Sequence, residues 1–319
     1  MLKFINKKRA FQWILFAGLL AFSVYTIITE TQQLSEDGTT FLFKRFVQLF
    51  EQHVLWGKGI TIAVLLIQIL LLQYFFRRHE YTVKRNMLPT CFYLSILLIT
   101  KSLVTISPFF FTILFFVAIV SIDFTVMAAK LKNNVFWAGI LIAFATCFDT
   151  SSGILLILVI VTLFVNQFFK MKEIGILFFG FALIYLYLFS YFFLTNNLDE
   201  WLSTFQHISI LGILDIDICN TVYPLLHLTS LGIMYFYFII RTRIINDSRI
   251  VKQRNRISTF NIWSILMFAC FFITHSTYPH FLGYIFVPIS VYLTLLVQEK
   301  NPLYINELTT IITLLLLWV

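Results

Sequence analysis

Carboxylate and imidazole side chains recur in the polar segments that separate the long apolar stretches of this sequence. The candidate acids are Glu36 and Asp37, which are adjacent, and Asp149; the candidate imidazoles are His275 and His280. Carboxylates and histidines together can bind a divalent cation or act as general acid and base. Polar loops of any protein contain such residues, so this spacing also fits solvated loops without a site.

Three further ionisable residues, Lys101, Asp123 and His227, lie within or beside the apolar stretches. A charged group inside a membrane costs about 2.5–3.5 kcal/mol on insertion scales and by default raises a question of function. Asp123 could line a cavity or pair with Lys130, and a neutral His227 could instead bond a helix carbonyl. Lys101 could extend to the lipid headgroups and bind a phosphate there.

The common cofactor motifs are absent from the sequence. It has no nucleotide-binding loop, zinc motif, nucleophile elbow or dinucleotide fingerprint, and its four cysteines lack metal-ligand spacing. A divalent cation at the acids is therefore the one cofactor that the residues suggest.

The chain that must position these groups is too apolar for a water-soluble protein. It is 60% hydrophobic and 12% charged, whereas soluble domains average about 45–50% and about 25%. A membrane-spanning helix needs about 20 mostly apolar residues. We therefore predict an all-α, polytopic transmembrane bundle, a single domain over residues 1–319, with about eleven spans. The predicted spans are 11–28, 59–76, 88–106, 109–129, 135–148, 154–169, 174–194, 221–240, 260–274, 281–297 and 308–319.

The basic residues predict the orientation of the bundle. If the N-terminus is cytoplasmic, all but four of the 23 lysines and arginines fall in cytoplasmic segments, where such residues gather. The exceptions are Lys44, Arg45, Lys58 and Lys101. The candidate acids and histidines named above then lie on the outer face. The net charge of +8 is thus a topology signal, and we expect no nucleic-acid partner.

Two predicted outer connections, 29–58 and 195–220, are long enough to carry structure. Within the first, apolar residues recur at helical spacing among charged ones, as is typical of a helix in the membrane interface. They are Phe43, Phe46, Val47 and Phe50. We expect a helix over 41–51 with this apolar face toward the membrane. The second connection shows a similar arrangement.

Three stretches, 84–89, 133–170 and 180–181, resemble an uncharacterised family of bacterial polytopic inner-membrane proteins. The layout of that family in turn resembles the GT-C membrane glycosyltransferases. In those enzymes an outer loop after the first span carries an acidic pair and interfacial helices, and the donor is a polyprenyl-phosphate sugar. The resemblance places Glu36 and Asp37 where that pair would be and implies a location in the bacterial inner membrane.

The leading hypothesis is a transferase-like protein that handles a lipid-linked sugar at the outer face. Glu36 or Asp37 would act as base or metal ligand, and Asp149 as a second acid. The residues expected to bind substrate are Lys101, His275 and His280. The expected partners are membrane lipids and a polyprenyl-phosphate-linked substrate.

Two other classes of function stay open. A transporter would use ionisable groups near the midplane of the membrane, for which Asp123 and His227 are the candidates. A scaffold would bind protein partners of an envelope complex through its outer amphipathic segments. In a scaffold no single polar residue would be indispensable.

Overall fold

The computed structural model describes residues 9–30, 33–34, 40–78, 86–106, 108–122, 124, 128–166, 170–198, 202, 222–246, 251–270, 283–297 and 312–313. Within them the chain is almost entirely helical, which confirms the predicted all-α class. The helices are α1 (Arg9–Thr29), α2 (Phe41–Gln52), α3 (Val54–Arg78), α4 (Leu88–Ile99), α5 (Pro108–Ser121), α6 (Ala128–Phe148), α7 (Ile154–Val165), α8 (Met171–Leu194), α9 (Val222–Asn246), α10 (Val251–Cys270) and α11 (Gly283–Val297). The rest is a 3-10 turn (Thr150–Gly153) and two short strands, β1 (Gln33–Leu34) and β2 (Thr105–Ile106).

Four of the described helices are long and apolar enough to cross a membrane, and five shorter apolar helices accompany them. The four spans are Ala10–Thr29, Val54–Arg78, Lys130–Phe148 and Met171–Leu194. At 1.5 Å per residue they extend about 28–38 Å, comparable with a hydrocarbon core of about 30 Å. Large apolar side chains are exposed along them, as Phe179 and Leu186 of α8 show at 64% each. Such surfaces fit contact with lipid.

Helix α11 lies at the centre of the bundle. Every residue from 285 to 297 is buried, because α4, α5, α9 and α10 all pack against it. A helix that is apolar on all sides favours such a position. The hydroxyl of its fully buried Tyr292 donates to Asn261 Oδ1 of α10 at 3.0 Å. This bond satisfies the one polar atom that the tyrosine brings into the core.

Glycines allow α6 and α8 to approach at backbone distance. A Cβ on Gly180 would lie 2.5 Å from the carbonyl oxygen of Phe136, and one on Gly139 would be closer still to that of Leu177. Further along, the hydroxyl of Tyr185 donates to Thr146 Oγ1 at 2.8 Å. This hydrogen bond lies beyond the glycine contacts, toward the C-terminal end of both helices, so α6 and α8 run parallel. Small residues at such crossings are typical of helix packing in membranes.

The predicted interfacial helix is present as α2, but its apolar face points the other way. Phe43, Phe46 and Phe50 are 1%, 8% and 6% exposed, because α2 packs against α3 and α6. The ring of Phe46 meets Phe111 of α5 edge to face, with centroids 4.6 Å apart. The expectation that these side chains face the membrane was therefore wrong. They face the bundle, and the polar side of α2 is exposed.

Two predicted spans end earlier than the hydropathy suggests. The stretch 88–106 forms α4 only to Ile99, and 109–129 forms α5 only to Ser121. Side-chain hydroxyls close both helices by bonding carbonyls of the preceding turn. Thr100 Oγ1 bonds Ile96 O at 2.9 Å, and Ser121 Oγ bonds Ala118 O at 2.6 Å. In the sequence Asp123 comes two residues after Ser121, the last residue of α5, and it lies outside the described residues.

Candidate functional site

Lys58 joins the start of α3 to the end of α1. Its Nζ donates to the carbonyl oxygens of Ile28, at 2.5 Å, and Glu30, at 3.3 Å. The last carbonyls of a helix have no partner within the helix and carry a partial negative charge, which a lysine ammonium stabilises. The end of α1 and the start of α3 therefore lie at the same end of the bundle.

The two short strands add a second link at this end. β1 follows α1, and β2 lies between α4 and α5; they pair in parallel, with Gln33 opposite Thr105 and Leu34 opposite Ile106. Strand pairing of this kind uses only backbone groups, so it leaves little trace in the types of the residues. The connection after α1 is thereby fixed to the connection after α4.

A third link involves the end of α6. Thr40 Oγ1, just before α2, donates to the carbonyl oxygen of Phe148 at 2.5 Å. The ring of Phe148 in turn stacks on the ring of Phe111, with centroids 5.0 Å apart. Phe111 also contacts the ring of Phe46 of α2. We call the end of the bundle that holds these three links, at Lys58, at β1–β2 and at Thr40, the tethered end.

Asp149 lies at the tethered end, directly after Phe148. Its backbone N–H continues the helix by donating to Ala145 O at 3.0 Å. Its carbonyl oxygen accepts the N–H of Ser152 at 3.1 Å and the hydroxyl of Ser152 at 2.7 Å. These bonds form the turn into α7 and hold a partly exposed aspartate in a fixed backbone position. The role of Asp149 as a second acid stays a prediction.

Lys101 also lies at the tethered end, where it terminates α4. Its N–H and that of Ser102 donate to Leu98 O and Leu97 O, both at 3.2 Å, and its φ of 52° is left-handed. This is the pattern of a Schellman motif, in which glycine or asparagine usually takes that position. α8 ends in the same way with Asn196, at φ 54°.

The predicted placement of Lys101 inside a span was therefore wrong. The helix has already ended, and the side chain emerges exposed from a turn. A non-glycine residue with positive φ is uncommon and justifies a search for its role.

Most other predicted site residues fall where the structure gives no side chains. Glu36, Asp37, Asp123, His275 and His280 lie outside the described residues, and His227 belongs to α9 with its side chain outside them. The structure does describe residues on either side of the acidic pair. Leu34 pairs with Ile106, and Thr40 bonds Phe148.

Sequence reasoning missed a buried polar cluster in the middle of the bundle. Gln68 of α3 is fully buried; its Nε2 donates to Phe110 O at 2.6 Å, and its Oε1 accepts the hydroxyl of Tyr93 at 2.8 Å. The signal was a glutamine near the middle of the apolar stretch 59–76, which a search for charged residues passes over. Its two bonds join α3, α4 and α5, so its role is structural.

Within the described residues, no three His, Cys, Asp or Glu side chains come close enough together to hold a metal ion. The acidic pair lies outside that part, so the divalent cation stays a prediction. Comparisons with protein-family models, with curated proteins and with solved structures give no match.

Proposed function

We propose that this chain is a polytopic protein of the bacterial inner membrane with a cytoplasmic N-terminus and about eleven spans. In this proposal the tethered end faces the outside and handles a polyprenyl-phosphate-linked sugar, in the manner of the GT-C glycosyltransferases. The four long apolar helices support the membrane location. The exposed basic pairs support the orientation, since they lie where α3 ends and where α6 and α8 begin. Those pairs are Arg77 with Arg78, Lys130 with Lys132, and Lys170 with Lys172.

The observation that carries the proposal is that residues on both sides of the acidic pair are bound to other connections of the bundle. Leu34, two residues before Glu36, pairs with β2, which begins four residues after Lys101. Thr40, three residues after Asp37, bonds the residue that precedes Asp149. Three connections that are far apart in the sequence, each with a charged candidate residue, are thereby tied at one end of the bundle.

Each of these residues has a role in a transfer reaction. A carboxylate of Glu36 or Asp37 would take the proton from the acceptor hydroxyl as the new bond to the sugar C1 forms. The bond between C1 and the phosphate oxygen breaks, and the polyprenyl phosphate leaves with its negative charge. The ammonium of Lys101 would stabilise that charge, for which an exposed lysine on a defined turn is suited. Asp149 would act as the second acid.

The test uses membrane vesicles that contain the full chain and natural acceptors. A polyprenyl-phosphate-linked hexose with a radiolabel is added, and the release of polyprenyl phosphate is measured by mass spectrometry. Changing Glu36→Gln together with Asp37→Asn should lower release about 100-fold or more, the usual contribution of a general base. The control removes two exposed acids near the same end, Glu30→Gln with Glu51→Gln, and should retain full release.

Lys101→Asn gives a second arm, because asparagine already occupies the equivalent turn position at the end of α8. The variant keeps the backbone and removes the charge, so the KM for the donor should rise about tenfold, the equivalent of one lost charged contact. The transferase would be excluded if vesicles with the protein released no more polyprenyl phosphate than vesicles without it. It would also be excluded if the Glu30 and Glu51 control lost as much release as the Glu36 and Asp37 variant. The transporter and scaffold hypotheses would then remain.

A further inference from the structure

The junction of α2 and α3 carries two kinds of exposed side chain, basic ones on α2 and large apolar ones on α3. On α2, Lys44 and Arg45 are exposed because the opposite face of the helix is buried in the bundle. In the first turn of α3, Leu55 is 85% exposed and Trp56 is 71% exposed. The basic side chains favour polar or anionic surroundings, and the apolar side chains favour lipid.

Leu55 and Trp56 indicate where the membrane boundary passes. Apolar surface left in water costs about 25 cal/mol per Å², so two large apolar side chains exposed in succession favour a lipid environment. Tryptophan is enriched at the level of the lipid headgroups. The start of α3, with α2 directly before it, therefore lies at the headgroup level.

The basic residues of the tethered end have separate tasks. Lys58 is bound to the carbonyls that end α1, and Lys101 belongs to the candidate site. Lys44 and Arg45 are adjacent on the outward side of α2, where Arg45 Nη1 also donates to Gln48 Oε1 at 3.3 Å. The exposed acid of this helix, Glu51, lies seven residues beyond Lys44, about 10 Å along the axis. The end of α2 that carries the two basic residues is thus positive.

We propose that the α2–α3 junction is a binding surface for the anionic headgroups of phospholipids in the outer leaflet. Leu55 and Trp56 insert at the boundary of headgroups and acyl chains, and Lys44 and Arg45 bind the lipid phosphate. A basic residue and an anionic headgroup attract each other strongly at this level, since the local dielectric constant is below that of water. This surface depends on the proposed membrane orientation but involves neither the sugar nor the acidic pair.

The test captures the bound lipid directly. The full chain, with photoreactive benzoylphenylalanine in place of Gln48, is placed in nanodiscs of phosphatidylglycerol and phosphatidylethanolamine, irradiated and analysed by mass spectrometry. Gln48 shares the exposed side of α2 with Lys44 and Arg45, one helical turn away. Phosphatidylglycerol should be captured in excess of its share of the bilayer. Capture in proportion to the lipid mixture, or no lipid capture, would overturn the proposed surface.

Charge variants make the result specific. Lys44→Gln with Arg45→Gln should lower the capture of phosphatidylglycerol roughly tenfold, as expected for the loss of two basic residues at an anionic surface. Lys130→Gln with Lys132→Gln, an equally exposed pair at the opposite end, should leave it unchanged. Leu55→Ser with Trp56→Ser should lower the capture of both lipids. Unchanged capture in the first variant would also overturn the proposed surface.

A check of folding, a fallback variant and the absence of a sugar donor keep the outcomes distinct. Each variant is checked for a single monodisperse species in detergent. If the double variant misfolds, Lys44→Gln alone replaces it and should lower the capture of phosphatidylglycerol several-fold. The capture assay contains no sugar donor. Intact capture without sugar transfer would therefore exclude only the transferase, and sugar transfer without selective capture would exclude only the lipid surface.

Discussion

At the scale of single residues, Gln68 shows how a polar group can be stabilised in an apolar interior. Its amide lies between three helices, with one bond to a backbone carbonyl of α5 and one from the hydroxyl of Tyr93 on α4. A buried polar group that loses its partner costs about 1–3 kcal/mol. Both partners of this glutamine are fixed by helices that it does not belong to, so the amide acts as a three-way link.

We predict that Gln68→Leu lowers the free energy of unfolding by about 1–3 kcal/mol, because the hydroxyl of Tyr93 loses its acceptor. Adding Tyr93→Phe should recover part of that loss, since the stranded hydroxyl is then removed as well. The measurement is unfolding of the purified protein in mixed detergent micelles, followed by circular dichroism. Gln48→Leu, on the exposed side of α2, serves as the control. Strictly additive effects of Gln68→Leu and Tyr93→Phe would contradict the proposed link.

Single residues were predicted from the sequence only where their charge gave a signal. Lys101 and Asp149 were recognised as candidates, and both lie at the tethered end. The backbone conformation of Lys101 could not be predicted, because a lysine at the left-handed position of a helix end is uncommon and the apolar run continues past it. Lys58 is one of the four basic residues outside the predicted cytoplasmic segments, and its bonds to the end of α1 depend on a contact between residues 30 positions apart.

At the scale of elements, hydropathy predicts the helices better than it predicts their ends or their surroundings. The stretches over α1, α8 and α11 gave helices close to the predicted bounds, whereas α3 begins at Val54, earlier than predicted. In α2 the periodicity correctly predicted a helix with one apolar face. Periodicity predicts that this face is removed from water. It does not predict whether lipid or protein contacts the face, because both are apolar. The sequence therefore could not show that Phe43, Phe46 and Phe50 pack inward.

The close crossing of α6 and α8 gives a prediction at this scale. Gly139→Ala and Gly180→Ala should each destabilise the protein by about 1–3 kcal/mol, because an added methyl group meets a backbone carbonyl that cannot move aside without separating the helices. Gly175→Ala is the matched control on α8, since nothing lies within 4 Å of its added Cβ. It should be neutral or stabilising, by up to about 1 kcal/mol, through helix propensity. The measurement is the thermal unfolding midpoint in detergent; equal midpoints for all three variants would refute the backbone contact.

At the scale of the whole molecule, two independent features agree on which connections share an end. The distribution of lysine and arginine assigns the connections after α1, α4 and α6 to one side. The links at Lys58, at β1–β2 and at Thr40 join those same connections in space. The opposite end is joined as well, since Gln12 of α1 accepts the N–H of Met87, just before α4, at 3.4 Å. Charge and contacts have separate physical origins, so their agreement supports alternating spans.

Charge alone predicts which end faces the cytoplasm, and a fusion experiment tests that prediction. The tethered end holds few basic residues, whereas Arg254 of α10 belongs to a basic segment that the positive-inside rule assigns to the cytoplasm. A reporter enzyme that is active only in the cytoplasm should therefore work when it is fused after Arg254 and fail when it is fused after Asp215. A periplasmic reporter at the same two positions should give the opposite pattern, which controls for poor expression of either fusion. Swapped activities would place the tethered end in the cytoplasm, away from any outer-leaflet lipid, and would exclude both the outer transfer site and the outer lipid surface.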